Sequence, residues 1–287
     1  MNKTIKKVGI ILILFLAIQL IIQVVCCVIG SLPIIQDAIK NHPNEVVSVF
    51  QHNATTETLA LPLCISTIIS SALTILLFWK YKYIPFNFKN FRTEVSYKTL
   101  LICVPLTLCA MFFLNTLTEM FPLPDNHQQT FLAMSRTGIW GFLSIAVFAP
   151  ACEEFVFRGA VEGTLLKTTS PWAAILISAL LFGIIHMNPI QIPFAFIIGI
   201  LLGWLFYKTG SLIPGILAHF INNAIGFMTM VTVNDSNITT EKLLGKPLTY
   251  SLMAVSVILF VILVIGLNKT IGNSNKENLA KILKTIQ

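Results

Sequence analysis

The chain has 287 residues, of which 55% are hydrophobic and only 11% charged. That balance excludes an ordinary soluble globular domain, where charged residues make up about a quarter. The net charge of +7 needs no nucleic-acid partner, because lysines facing an anionic cytoplasmic leaflet account for it.

The first element begins with a basic "MNKTIKK" and continues as a long apolar run. A signal peptide has an apolar core of about 7–15 residues and a small-residue cleavage site. This run is longer and has no such site, so it reads as an uncleaved first span over about 8–29. Further apolar runs predict spans at about 59–79, 100–121, 138–166, 171–187, 190–207, 212–230 and 249–268. The expected fold class is all-α: a single polytopic transmembrane helical bundle of about eight spans covering 1–287. The fourth run is long for one crossing. The fifth and sixth are parted only by the proline-broken "MNPIQIP".

Orientation follows from Lys and Arg. With the N-terminus inside, the cytoplasmic segments carry Lys3, Lys6 and Lys7, then Lys80, Lys82, Lys89, Arg92 and Lys98. Arg158, Lys167, Lys208, Lys269, Lys276, Lys281 and Lys284 complete fifteen of the nineteen basic residues. Lys40, Arg136, Lys242 and Lys246 fall outside. Both termini are therefore expected to be cytoplasmic. The six cysteines lie in apolar runs with no CxxC pair, so they read as packing residues.

Polar residues interrupt this pattern in three places. In "ACEEFVFRGA", Glu154 and Arg158 are four apart, and an acid four residues before a base on a helix forms an ion pair. Glu153 is turned about 100° away and has Phe157 at that spacing, so it is the carboxylate without a local partner. In "FGIIHMN", Phe182 and His186 are four apart. In "HFINNAIG", His219 and Asn223 share a face. Ionisable groups within a bilayer are expensive and mark function. The fourth and fifth spans form a hairpin turning near 167–171, which brings Glu153 and His186 to similar depth. Pro150 is expected to kink the fourth span and free the Ala146 carbonyl.

A carboxylate near a neutral histidine can take a proton from water and make a nucleophile. A second histidine and an amide on one face can donate to a developing oxyanion. This layout suits hydrolysis of an acyl bond, most naturally a peptide bond. Cys152 adjoins the acids but has nothing to make it a thiolate.

The set Glu153-Glu154-x-x-x-Arg158, Phe182-x-x-x-His186 and His219-x-x-x-Asn223, in this order on successive spans, resembles the CAAX protease and bacteriocin-processing (Abi) family. The match covers roughly 138–230, which makes that segment the expected catalytic core. The resemblance implies an intramembrane endopeptidase related to the type II CAAX prenyl endopeptidase, with eight helices around a cavity open to the cytosol. It also implies that Glu153 and His186 activate water, that His219 and Asn223 form the oxyanion site, and that Glu154 with Arg158 completes the catalytic set. Family members are often labelled metalloproteases. Here no H-E-x-x-H is present, and the favoured expectation is a glutamate-dependent site without a cofactor. Zinc on Glu153, His186 and His219, with Glu154 as a further donor, is the alternative.

The Ile-, Lys- and Asn-rich composition points to a bacterial plasma membrane. The expected partners are membrane lipid and a peptide or protein substrate, such as a bacteriocin or signalling precursor, or a role in self-immunity. Two rival classes remain from the residues. One is a proton-coupled transporter, which also uses intramembrane Glu, His and Arg, although no second half echoes the first. The other is a non-catalytic immunity or scaffold protein. No nucleic-acid partner is expected.

Overall fold

The computed structural model describes residues 2–53, 55–84, 95–121, 123–233, 239–271 and 283. Among them there is no strand. In chain order the helices are α1 (Asn2–Asn41), α2 (Val46–Asn53), α3 (Thr56–Lys80), α4 (Tyr97–Glu119) and α5 (Gln128–Ser135). Then come α6 (Ile139–Leu165), α7 (Pro171–Ile185), α8 (Gln191–Thr209), α9 (Ile213–Val233), α10 (Thr240–Leu244) and α11 (Lys246–Ile271). Each of the eight expected spans has its helix. Seven are long and apolar enough to cross a membrane, so this is a multi-pass membrane protein. The eighth, α7, has 15 residues. At about 1.5 Å per residue it reaches roughly 22 Å, short of a hydrocarbon core about 30 Å thick.

Local chemistry sets the ends. Thr55, Ser96, Ser170 and Thr239 cap α3, α4, α7 and α10 by accepting from the backbone N–H groups of Thr58, Thr99, Ala173 and Lys242. Pro171 opens α7, where its missing N–H is not needed. Gly210, at φ 62°, closes α8 in the left-handed conformation that glycine adopts without strain. The long helices α1 and α11 bury little and expose apolar side chains, as lipid-facing spans do. The buried residues of α3 are mostly small, including Ala60, Cys64, Ser66, Ser70 and Ser71, and such residues allow close approach without a hydrophobic drive between helices.

The centre of the bundle is α6, against which α1, α3, α7, α8 and α9 pack. It is not a regular α-helix. Leu143–Phe148 and Glu154–Glu162 wind with i→i+5 hydrogen bonds, separated by an α-helical Ala149–Glu153. Such π-helical turns are rare and concentrate at functional sites. The hairpin with α7 forms as expected, and Ser178 Oγ donates to the Phe157 carbonyl at 2.9 Å.

The bundle has two unlike ends. At one, Thr168 meets Thr4 at 3.1 Å and Lys7 lies over the Tyr83 ring. Here sit Lys3, Lys6, Lys80, Lys82, Lys98, Lys167, Lys208 and Lys269. Burial lowers the Lys167 pKa from the usual lysine value. At the other end, Arg136 pairs with Glu57, Thr240 N–H donates to Glu119 at 2.8 Å, and Asn188 donates to Asp125 at 2.7 Å. This end holds Lys40, Arg136, Lys242 and Lys246, alongside Asp37, Glu45, Glu57, Glu119, Asp125 and Glu241. Lys89, Arg92, Lys276, Lys281 and Lys284 lie outside the described residues. Arg158 leaves the cytoplasmic tally, because it is 1% exposed within the core.

Candidate active site

Glu154 is fully buried and holds two partners on one oxygen. Arg158 Nη1 donates to its Oε1 at 3.0 Å, and His219 Nδ1 lies 2.9 Å from the same atom. Arg158 is fixed from two further directions. Its Nη2 donates to the Gly199 carbonyl on α8 at 3.2 Å, and its guanidinium carbon lies 4.4 Å from the Phe182 ring centroid. A cation over an aromatic face in a dry interior is held strongly. The ion pair anticipated from the i, i+4 spacing is present and shared across four helices.

Glu153 is the more open acid, with its side chain 24% exposed, and no hydrogen bond occupies it. Its Oε2 is 3.6 Å from His219 Nε2. His219 therefore stands between the two glutamates, with Nδ1 toward the buried one and Nε2 toward the accessible one. A ring whose Nδ1–H is taken by a carboxylate presents Nε2 as a base or proton carrier.

His186 closes α7. Its Nδ1 is 2.7 Å from the Phe182 carbonyl, which can only accept, so Nδ1 carries the hydrogen and Nε2 offers its lone pair. Both histidines pack edge-on against Phe182, with ring centroids 4.9 and 5.7 Å away. The structure thus gathers Arg158, His186 and His219 around Phe182 and both glutamates around His219, so the histidine beside Glu153 is His219.

Asn223 lies one turn beyond His219. Its Nδ2 donates to the Ile145 carbonyl at 2.9 Å, and its Oδ1 accepts from Asn222 Nδ2 at 2.9 Å. This corrects the carbonyl expected to be freed by Pro150. In an α-helix the orphan would be Ala146. Here Ala149 N–H bonds back to Ser144, five residues away, so the missing N–H of Pro150 frees Ile145 instead. Asn223 satisfies that orphan, while its second amide hydrogen remains for another acceptor. Asn223→Ala should therefore leave a buried carbonyl unpaired and lower stability by about 1–3 kcal/mol. Thermal unfolding reads this directly, and an unchanged midpoint would show the contact to be idle.

Glu162, Gly215 and Asn188 were not singled out from the sequence. Glu162 continues the series Glu154, Arg158, Glu162 and is fully buried, with neither oxygen hydrogen-bonded. Gly203 makes room for it, since a Cβ there would lie 2.6 Å from its Oε2. Gly215 does the same for Glu154, with a Cβ position 2.9 Å from that residue's Oε2. Asn188, also fully buried, locks the turn after His186 by donating to Asp125 and accepting from Asn126 N–H at 3.1 Å. Met187 in that turn has φ 47° and is 74% exposed.

A zinc site would need His186, His219 and a glutamate to converge on one point at about 2.0–2.2 Å each. Among the described residues, no three His, Cys, Asp or Glu side chains form such a group. Glu154 is already engaged by Arg158 and His219. As arranged, these side chains do not fit a metal.

A family model described as Rce1-like, type II CAAX prenyl endopeptidase Rce1-like, matches residues 135–225. That span contains all seven residues named in the three sequence motifs. No curated protein and no solved structure matches the chain.

Proposed function

We propose that this chain, whose residues 135–225 match a family model described as type II CAAX prenyl endopeptidase Rce1-like, is an intramembrane protease that hydrolyses peptide bonds by water activated at Glu153. The observation that carries the reading is the pair of glutamates in unlike surroundings. Glu154 is sealed and shared by Arg158 and His219, while Glu153 is half-open beside His219 Nε2. One carboxylate positions and the other reacts.

In this reading a water beside Glu153 loses a proton to Oε2 as its oxygen attacks the scissile carbonyl. The tetrahedral oxyanion accepts hydrogen bonds from the second Nδ2–H of Asn223 and from His219 Nε2 once that nitrogen has taken up the proton from Glu153, 3.6 Å away. That proton then passes to the leaving amine, the new carboxylic acid gives its own proton to the same amine nitrogen, and the products are a carboxylate and an ammonium group. Glu154 holds the tautomer and orientation of His219. His186 Nε2 faces no fixed donor and serves as the second acceptor for the water. Every proton has a carrier among this chain's own residues.

The substrate class is a membrane-associated or free peptide. A precursor such as a bacteriocin or signalling peptide fits it, and so does a role in self-immunity. The membrane is assigned to a bacterial cell surface with both termini cytoplasmic, on the composition and the lysine distribution. A metal-dependent reading would require the two histidines and Glu153 to move together.

Purified protein should cleave a peptide substrate and keep its rate after exhaustive chelation. Stoichiometric zinc that disappears in His186→Ala, together with activity restored by added metal, would replace the glutamate mechanism with a metal one. Absence of cleavage with any peptide in a broad library would favour the non-catalytic class.

A further inference from the structure

We infer that the bundle binds an anionic phospholipid, with an acyl chain in a cavity between α4, α8 and α11 and the headgroup at the lysines that end the same three helices. The cavity has a volume of about 220 Å³. Phe113 and Leu114 of α4, Ile198 and Leu201 of α8, and Val257 and Phe260 of α11 form its walls. Water does not suit it. Among the described lining residues only Cys109 and Ser256 bring polar side-chain atoms, and Ser256 Oγ donates to the Met253 carbonyl of its own helix at 2.7 Å. A buried water needs two to four polar partners, and an apolar cavity of about 150 Å³ already stays dry and takes up benzene. All three walls are spans long and apolar enough to cross a membrane. The hydrocarbon at hand is therefore a lipid chain.

The charge stands where a headgroup would need it. Lys98 lies in the first turn of α4, and Lys208 and Lys269 lie in the last turns of α8 and α11, at the same end of the bundle. No acid stands in these three turns. Lys98 and Lys269 are exposed. At about 1.5 Å per residue, Lys208 is roughly 10 Å beyond Leu201, and Lys269 roughly 14 Å beyond Phe260. One leaflet of a hydrocarbon core about 30 Å thick is ~15 Å deep. An acyl chain that starts at the lysines thus ends in the cavity. Lysines at this depth attract anionic headgroups, which selects the lipid by charge as the cavity selects it by shape. The position also bears on the site. Ile198 adjoins Gly199, whose carbonyl accepts from Arg158 Nη2 at 3.2 Å, so the bound chain backs the helix that holds Arg158.

The test uses purified protein stripped of lipid in detergent. It is titrated with dioleoyl phosphatidylglycerol or with dioleoyl phosphatidylcholine, which has the same chains and no net charge, and adducts are counted by native mass spectrometry. One phosphatidylglycerol per chain should bind ahead of weaker adducts and more tightly than phosphatidylcholine. Lys98→Ala and Lys269→Ala should each weaken phosphatidylglycerol about fivefold, the equivalent of ~1 kcal/mol per lysine, and leave phosphatidylcholine unchanged. Val257→Trp puts a ring into the cavity and should remove the tight adduct of both lipids. Equal binding of the two lipids would overturn the inference. So would tight phosphatidylglycerol binding that survives the lysine substitutions or Val257→Trp. The lysine variants lie at exposed helix ends, so they report whether or not the filled variant folds. None of these side chains belongs to the peptidase site, so the result stands apart from peptide cleavage.

Discussion

Glu153→Gln is expected to lower peptide cleavage by about 10²–10⁴-fold while the protein folds and assembles in the membrane as before. The substitution keeps the shape of the side chain and removes the group that accepts the proton from water. Glu153 is 24% exposed and carries no hydrogen bond, so little of the fold rests on it. The amide cannot take up a proton during attack, and no other carboxylate among the described residues lies beside His219 Nε2. Turnover of purified protein reads the first effect, and thermal unfolding reads the second. Wild-type turnover in Glu153→Gln would remove this residue from the chemistry. Lost turnover with a lowered melting temperature would make it a structural residue instead.

The largest stability effect is expected at Arg158. Arg158→Ala strands Glu154, which is fully buried and would keep only its hydrogen bond with His219. Breaking a buried pair by removing one member costs about 3–5 kcal/mol, because the other charge is left uncompensated. Three contacts go together here: Nη1 with Glu154, Nη2 with the Gly199 carbonyl, and the guanidinium over Phe182. Arg158→Lys should recover part of the loss, since an ammonium restores the charge but not the planar fork that reaches two acceptors at once. Folded protein after detergent extraction should fall in the order wild type, Arg158→Lys, Arg158→Ala. Equal yields across the three would show that the network does not hold the bundle.

Much of this arrangement is legible in the chain. The apolar runs are long, and a bilayer admits few structures, so the helices fall where hydropathy puts them. The Glu154–Arg158 pair is legible because both residues lie on one element at a spacing that forces contact. Glu162 was equally available as the next step of the same series. What was not legible depends on register and on distant pairing. Hydrophobic periodicity does not distinguish an i→i+5 turn from an i→i+4 turn, so the carbonyl freed by Pro150 was misplaced by one residue, from Ile145 to Ala146. The hairpin put Glu153 and His186 at similar depth, but depth does not say which ring faces which acid. Rotation about α9 decided that His219 stands beside Glu153. The Asp125–Asn188 contact joins residues 63 apart, each ordinary in its own segment, and only the packed turn after His186 reveals it.

The central claim is that water attacks the peptide bond directly, with no acyl group passing through the protein. The measurement is a single turnover by purified enzyme in ¹⁸O-labelled water, with hydroxylamine present and products weighed by mass spectrometry. Direct attack places one ¹⁸O in the new C-terminal carboxylate and gives no peptide hydroxamate, with the protein mass unchanged throughout. A peptide hydroxamate, or an acyl adduct on Cys152 or on Glu153, would contradict the mechanism.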